Sequence, residues 1–249
     1  IDGKFGTNNT LDYSAYASGR TISVDMGVLD GTGNSTVTIS DGTTDKIKNI
    51  QNIIGGAGAD TIIGNSQNNS LVGGTGNDII KGVAGDNQLL GGAGNDTIFS
   101  GSGDDSIDGG EDNDTVSFEA ATGDITVSLT TTTAQAVGGG MGTDTITNIE
   151  NVIGSIHNDT ISGNSGINTL IGGAGDDKFV ATKGSDTYYG GTFDGTTHTL
   201  ASGEYNRVDY SNASKVYVDL SDTKTDVNGN VYAEALKSNS FANDGFATN

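Results

Sequence analysis

Residues 55–117 read GGAGADTII, GNSQNNSLV, GGTGNDIIK, GVAGDNQLL, GGAGNDTIF, SGSGDDSID and GGEDNDTVS, seven blocks of nine residues without a gap. Position 8 of every block is aliphatic, and position 6 is always Asp or Asn. Glycines at positions 1, 2 and 4 allow backbone angles closed to other residues, so six residues can form a tight turn. The last three residues form a minimal strand whose middle side chain points inward. The period predicts a solenoid, in which two blocks make one coil and successive coils pair as parallel strands about 4.8 Å apart.

The composition fits a solenoid that is held together by something other than a large apolar core. Only 33% of the 249 residues are hydrophobic, none is Trp and 41 are Gly. The formal net charge is −21, and a compact body with this charge repels itself unless bound cations neutralise it. The same sign argues against nucleic acid and anionic membranes as partners, and the lack of a long apolar run argues against membrane insertion. Cysteine is absent, so disulfides are excluded and metal is the obvious substitute.

The stacked turns offer oxygen ligands for such a metal. A position-6 carboxylate lies one coil from the next on the same side, and turn carbonyls point into the gap between them. Carboxylates and backbone carbonyls form an all-oxygen cage that suits Ca²⁺ with about 6–8 ligands, whereas softer metals favour His or Cys. The predicted cofactor is therefore Ca²⁺, with several ions bound.

The blocks alternate in a way that predicts two unlike sides of the roll. Odd-numbered blocks begin with a double glycine and carry Asp60, Asp78, Asp96 and Asp114. Even-numbered blocks have poorer glycine patterns and carry Asn69, Asn87 and Asp105. Because loss of negative charge lowers affinity for a divalent ion, we expect three calcium sites between the four aspartates of one side. The other side should be weak, empty or bridged by asparagine hydrogen bonds; alternatively, the Asn blocks have merely drifted in sequence and both sides bind calcium.

A second run of four blocks begins at Gly154 and reads GSIHNDTIS, GNSGINTLI, GGAGDDKFV and ATKGSDTYY. Its position 6 is occupied in turn by Asp159, Asn168, Asp177 and Asp186. The Asp159–Asp177 pair predicts the best site of this run. Asp186 is a weaker candidate, because its block lacks the first two glycines.

The consensus GGxGxDxUx, where U is a large aliphatic residue, resembles the RTX family, the hemolysin-type calcium-binding repeats of proteins exported by bacterial type I secretion. The resemblance covers residues 55–117 and 154–189. It implies an all-β fold, a parallel β-roll with interspersed β-rich spacers, which folds on binding calcium outside a Gram-negative cell, either secreted or at the cell surface. The residues that match the family's metal-binding pattern are Gly56, Gly58, Asp60, Gly74, Gly76, Asp78, Gly92, Gly94, Asp96, Asp105, Gly110, Asp114, Asp159, Gly173, Gly175, Asp177 and Asp186.

A longer period divides the chain into spacers and rolls. IKNIQNIIGG at 47–56 recurs as ITNIENVIGS at 146–155, so that Asn49, Asn52, Asn148 and Asn151 either stack as an asparagine ladder or are ordinary loop residues. The expected regions are spacer strands and ladder at 1–54, the first roll at 55–117, spacer and ladder at 118–153, the second roll at 154–189, and an insertion with an incomplete third spacer at 190–249. Residues 130–145 and 190–206 should project as loops. Since the chain opens and closes within repeat-like sequence, we expect it to be a segment of a longer protein.

No pattern predicts an enzyme. His157 occupies a repeat turn and His198 the late insertion, and nothing links them to one pocket with a nucleophile. The Asp104-Asp105 and Asp176-Asp177 pairs fall within the repeat, where position 5 should face solvent and position 6 should bind calcium. Tyrosines that either contact sugar or, more simply, cover the ends of spacer strands are Tyr188, Tyr189, Tyr205, Tyr210 and Tyr217.

Two classes of function follow. The favoured one is a calcium-dependent structural or adhesive segment of a large secreted bacterial surface protein, such as an adhesin, exoprotein or surface-layer protein, with a cell-surface glycan or neighbouring copies of itself as partners. The alternative is a non-catalytic accessory module of a type I secreted enzyme, such as a protease, lipase or polysaccharide epimerase, that aids folding and substrate binding. A catalytic domain in the full-length reading frame would decide for the second class, and many further repeat units for the first.

Overall fold

The computed structural model of the protein describes residues 1–4, 6–16, 19–193, 198–199 and 206–209. The predicted third spacer beyond 209, most of the 190–206 insertion, Tyr205, Tyr210, Tyr217 and the side chain of His198 lie outside the described residues. Within those residues, the regular secondary structure consists of strands. No helix in this part of the chain has the length and apolar character that a membrane crossing requires.

The strands of the first half are β1 (Thr10–Asp12), β2 (Ile22–Asp25), β3 (Ser35–Ile39), β4 (Thr44–Ile47), β5 (Asn52–Ile54), β6 (Thr61–Ile63), β7 (Ser70–Thr75), β8 (Ile79–Lys81), β9 (Gln88–Ala93), β10 (Thr97–Phe99), β11 (Ser106–Glu111) and β12 (Thr115–Ser117). Those of the second half are β13 (Thr126–Ser128), β14 (Gln135–Ala136), β15 (Thr143–Thr147), β16 (Asn151–Ile153), β17 (Thr160–Ser162), β18 (Thr169–Ile171), β19 (Lys178–Val180), β20 (Thr187–Tyr189), β21 (Thr192–Phe193), β22 (His198–Thr199) and β23 (Arg207–Asp209).

Two parallel sheets form the two faces of the roll. The front face contains β6, β8, β10 and β12, in which the position-8 residues of the odd blocks stand in register, as in Ile80 opposite Ile98. The back face contains β5, β7, β9 and β11 and aligns the even blocks, as in Leu71 opposite Leu89. Partners are 18 residues apart along the chain, which is two blocks per coil. The position-8 side chains of both faces are fully buried between the sheets, which confirms the predicted parallel β-roll.

The stack of strands continues through the spacer that follows the first roll. On the front face β12 pairs with β16, which pairs with β18 and then β20. On the back face β11 pairs with β15. Beyond it, β13, β17, β19 and β23 form a separate parallel sheet whose strands alternate along the chain with those of the front face. The edge at Ser117 is therefore covered by Ile153 of the same chain.

An antiparallel unit covers the first coil. Strands β2, β3 and β4 pair antiparallel, and β2 also pairs parallel with β6 of the roll. The STVTI sequence of β3 alternates buried and more exposed residues, as expected for a strand with one covered face. Val24 and Val37 lie opposite each other and are buried, so the apolar interior begins before the first nonapeptide.

Residues 130–145 do not all project as predicted. Strand β15 lies in the back sheet, with Ile146 opposite Ile107. The reason is that residues 139–147 read GGMGTDTIT, a complete nonapeptide with glycines, Asp and Ile at the repeat positions. Residues 118–138 separate this block from the one that ends at Ser117 and place it outside the nine-residue frame.

Candidate metal centre

The aspartates of the front face form a hydrogen-bonded ladder. The backbone N–H of Asp60 donates to Oδ1 of Asp78, and that of Asp78 donates to Oδ1 of Asp96, both at 2.7 Å. The N–H of Asp96 donates in turn to Oδ1 of Asp114 at 2.8 Å. All four side chains are buried. One carboxylate oxygen of each later aspartate therefore holds the preceding turn in register.

The second carboxylate oxygen of the inner aspartates lacks such a donor. Oδ2 of Asp78, Asp96 and Asp114 is buried and accepts no hydrogen bond from the described part of the chain. Burial raises the pKa of Asp78 and of Asp114 to about 7 and also raises that of Asp96. Because a buried carboxylate is stable in its charged form only when an opposite charge compensates it, this column of oxygens fits a bound cation.

Backbone carbonyls supply further oxygens beside each carboxylate. A β-carbon placed on Gly73 would lie against both Oδ2 of Asp78 and the carbonyl oxygen of Gly91, one coil further on. The same position at Gly91 is bounded by Asp96 and by the next coil. Among the described residues, no three side chains of His, Cys, Asp or Glu converge. Carbonyl groups must therefore provide a large share of the ligands, which is the coordination that Ca²⁺ accepts.

The predicted turn glycines are required by the backbone in the inner turns. Gly74 and Gly76 have φ of 120° and 119°, and Gly92 and Gly94 have 123° and 120°. L-residues rarely adopt these angles, and a β-carbon on Gly74 would collide with the carbonyl oxygen of Gly56. The other predicted glycines with positive φ are Gly110, Gly173 and Gly175. The spacing of these glycines thus allows successive turns to stack in backbone contact.

The first turn of each run is built differently. Gly56 and Gly58 are not among the residues with positive φ, and the N–H of Gly56 donates to Oδ2 of Asp60 at 2.8 Å. In the second run the N–H of Ser155 donates to Oδ2 of Asp159 at 2.6 Å. A spacer residue donates its N–H to the other oxygen in both cases. These two carboxylates are thus partly satisfied by their own turns, and Ser155 can occupy a glycine position because that position keeps an ordinary φ.

Asparagine at position 6 places an N–H donor where aspartate presents a bare oxygen. Oδ1 of Asn87 accepts the N–H of Asn69 at 2.9 Å, and Nδ2 of Asn87 donates to the carbonyl of Gly85 in its own turn at 2.7 Å. Nδ2 of Asn69 and of Asn168 each donates at 2.8 Å to a carbonyl of the preceding coil. A neutral amide thereby bonds turn oxygens without a cation. These contacts agree with the prediction that asparagine hydrogen bonds bridge the turns on the side of the even-numbered blocks.

The back face nevertheless holds one pair of carboxylates. The N–H of Asp105 donates to Oδ1 of Asp144 at 3.0 Å. Both Oδ2 atoms are buried and accept no hydrogen bond from the residues that the structure describes. Burial raises the pKa of Asp105 to about 6 and that of Asp144 to about 7. Asp144 was not among the predicted ligands, and the nonapeptide at 139–147 is the signal that would have identified it.

The second run is shorter and less uniform. The N–H of Asp159 donates to Oδ1 of Asp177 at 2.9 Å, as in the ladder of the first run. Oδ2 of Asp186, in contrast, accepts the hydroxyls of Tyr188 at 3.1 Å and Thr182 at 3.2 Å. Asp159 and Asp177 are thus brought together, whereas the role of Asp186 in metal binding stays a prediction.

The acidic side changes faces between the two runs. The front-face ladder continues at Asp114, whose N–H donates to Oε2 of Glu150 at 2.9 Å. At the next coil, Nδ2 of Asn168 donates to the backbone carbonyl of Glu150. Asp159 and Asp177 precede β17 and β19, which belong to the separate sheet of β13, β17, β19 and β23 and not to the front face. Residues 148–150 form a shorter turn than a repeat turn, and the longer side chain of Glu150 takes the place that aspartate has elsewhere.

Residues considered for other chemistry have local structural roles. Asp104 at position 5 is exposed, as predicted, and its Oδ1 also accepts the N–H of Thr143 at 2.8 Å. The N–H of His157 donates to the hydroxyl of Ser155 at 3.0 Å within the first turn of the second run. The ring of Tyr188 lies 5.6 Å from that of Phe179. These contacts stabilise turns and strand ends.

Comparison with known families agrees with this geometry. The RTX calcium-binding nonapeptide repeat matches the chain in four copies, at residues 50–80, 81–116, 153–188 and 162–196. These matches cover the second run and the first run up to residue 116, but not the turn that carries Asp144. No curated protein matches the chain.

Proposed function

Because the chain belongs to the proteins with RTX calcium-binding repeats, we propose that it is a non-catalytic, calcium-dependent structural segment of a large bacterial surface protein. The chain is a calcium-binding β-roll module of the kind that secreted proteins carry. In the proposed role the chain is exported from a Gram-negative cell by type I secretion while it is still unfolded. It then folds into a stiff spacer where external calcium is available.

The observation that carries this proposal is the column of buried carboxylate oxygens at Asp78, Asp96 and Asp114. These side chains stack one coil apart, and the charge of Asp96 adds to the effect of burial in raising the pKa of Asp78 and of Asp114. A cation that binds between the folded turns does not find this arrangement in the unfolded chain. Its binding free energy therefore becomes folding free energy.

The continuous front face supports a spacer in preference to a small accessory module. Strands from β6 to β20 form one sheet across both runs, so that the spacer between them does not separate the rolls. Each coil contacts its neighbours, and further units would extend the same stack. An accessory module that grips substrate would need an available binding surface, whereas Tyr188 is engaged with Phe179 and Asp186.

The test is calcium-dependent folding of the whole chain. Far-UV circular dichroism is measured after thorough chelation, and again after addition of Ca²⁺ or of Mg²⁺ at equal ionic strength. We expect a β-sheet spectrum with Ca²⁺ and loss of most of it in chelator, with little recovery in Mg²⁺, because Mg²⁺ demands near-octahedral geometry and retains its waters. An unchanged β-sheet spectrum after chelation would contradict the proposal.

A further inference from the structure

We propose that Asp105 and Asp144 hold one calcium ion on the back face, and that this ion clamps the point where the insertion of residues 118–138 returns to the roll. The inference rests on the proposed calcium-dependent folding but concerns a turn outside the matched repeats. It adds an ion to a side that is otherwise bridged by asparagine.

The two turns are adjacent in space although they are distant in sequence. Asp105 and Asp144 are 39 residues apart, whereas the front-face aspartates from Asp60 to Asp114 are successively 18 apart. Ser106 and Thr145 stand in register in the parallel pair β11–β15, and the N–H of Thr145 donates to the carbonyl of Asp105 at 2.8 Å. The insertion therefore occupies the chain between two consecutive coils.

The surroundings of the two carboxylates are rich in oxygen. Asp105 is 2% exposed and Asp144 is 0% exposed, and the Oδ2 atoms of both have no hydrogen-bond donor among the described residues. The buried hydroxyl of Ser100, which stands where most blocks have their first glycine, donates to the carbonyl of Gly101 at 3.2 Å and lies near enough to Asp144 to lower the pKa of that carboxyl against the larger effect of burial. Gly142 has φ of 96°, and a β-carbon there would collide with the carbonyl oxygen of Gly103. Two carboxylates, a hydroxyl and turn carbonyls match the hard oxygen ligands of Ca²⁺.

This gap differs from the others on the back face. Between Asn69, Asn87 and Asp105 each gap includes at least one asparagine, and Nδ2 of Asn87 already donates to a turn carbonyl. Between Asp105 and Asp144 both side chains are carboxylates, and their mutual repulsion adds to the raised pKa of Asp144. One ion in this gap would remove that repulsion.

An ion at this position would hold the returning end of the insertion. Strand β13 lies within the insertion, and its Thr126 donates its N–H to the carbonyl of Val137 at 2.7 Å. The N–H of Val137 donates to the carbonyl of Gly142 in the turn before Asp144 at 3.0 Å. A calcium ion that bridges this turn and the turn of Asp105 would therefore also restrain Val137 and the strand β13 that is bonded to it.

Asp144→Asn tests the clamp, with Asp104→Asn as the matched control. Asparagine at 144 keeps the Oδ1 acceptor for the N–H of Asp105, and its Nδ2 can donate to a turn carbonyl as that of Asn87 does, so the variant is expected to fold. Asp104→Asn removes the same charge from the neighbouring exposed position and keeps an acceptor for Thr143. Calorimetric titration of the full chain with Ca²⁺ should give one ion fewer for Asp144→Asn than for the wild type and for Asp104→Asn.

Hydrogen exchange supplies a second readout. Calcium should protect the amides of residues 143–147 in the wild type but not in Asp144→Asn, while protection of β8 and β10 should remain calcium-dependent in both. Equal stoichiometry in all three proteins would overturn the clamp and leave calcium-dependent folding intact. Loss of several ions in Asp144→Asn would also overturn it, because the site would then not be separate. A wild type that binds no calcium would overturn the proposed function together with the clamp.

Discussion

Asp96→Asn should change stability in opposite directions with and without calcium. Asp96 lies between two gaps of the front-face column, toward Asp78 on one side and toward Asp114 on the other. Asparagine keeps the Oδ1 that accepts the N–H of Asp78. It replaces the buried Oδ2 with an Nδ2–H₂ group, which in Asn87 donates to a carbonyl of the same turn. The substitution therefore removes a metal ligand and a buried charge while it preserves the ladder.

The expected magnitude follows from the number of gaps that Asp96 borders. A site that binds only the folded state contributes about 2.7 kcal/mol when free calcium is 100 times its Kd. Loss of two sites lowers the free energy of unfolding in calcium by about 5 kcal/mol under that condition. In chelator the same variant should be more stable than the wild type, because it no longer buries an uncompensated carboxylate.

Urea unfolding followed by circular dichroism, in calcium and in chelator, measures both effects, and calorimetry counts the ions. Asn87→Ala is the control, since it removes the acceptor of the buried Asn69 N–H and should cost about 1–3 kcal/mol equally with and without calcium. Loss of the same number of calcium ions in Asp96→Asn and Asn87→Ala would contradict the front-face column, as would destabilisation of Asp96→Asn in chelator.

Three further predictions concern the turns. Asn87→Asp should add a calcium ion on the back face, because it would place a carboxylate next to Asp105; an unchanged stoichiometry in calorimetry would argue against the role of Nδ2. Gly92→Ala should destabilise the calcium-loaded protein by about 1–3 kcal/mol in thermal unfolding, because φ of Gly92 is 123° and a β-carbon would meet the carbonyl oxygen of Gly74. The control Gly31→Ala should have little effect, because a β-carbon on Gly31 would have open space around it. Calcium affinity should fall between pH 8 and pH 5, because burial raises the pKa of Asp78 and Asp114 to about 7 and protons then compete with the ion. In chelator the sign reverses, because a carboxyl whose pKa is raised in the folded state contributes stability that is present at low pH. That stability is lost as the pH rises from the ordinary aspartate pKa of 3.8 through about 7, so unfolding in urea should be easier at pH 8 than at pH 5.

The nonapeptide period was sufficient to predict the parallel β-roll and its interior. Turn glycines and one inward residue per strand are local requirements, so Ile80, Leu89 and Ile98 could be placed in the core from their spacing alone. The column of Asp78, Asp96 and Asp114 follows from the same period, because residues two blocks apart must stack when every coil has equal length. The chemistry of carboxylate and amide side chains also indicated which side would hold asparagine bridges.

Only the tertiary structure showed which carboxylate oxygens have donors and which turns meet across the insertion. Asp60 and Asp159 resemble the inner aspartates in sequence, yet their own turns donate to them. Asp144 joins Asp105 across residues 118–138, and the acidic side changes faces at the short turn that precedes the second run. A period specifies neighbours while each coil has the same number of residues; once an insertion interrupts the count, the stacking partner is set by strand pairing and packing in three dimensions.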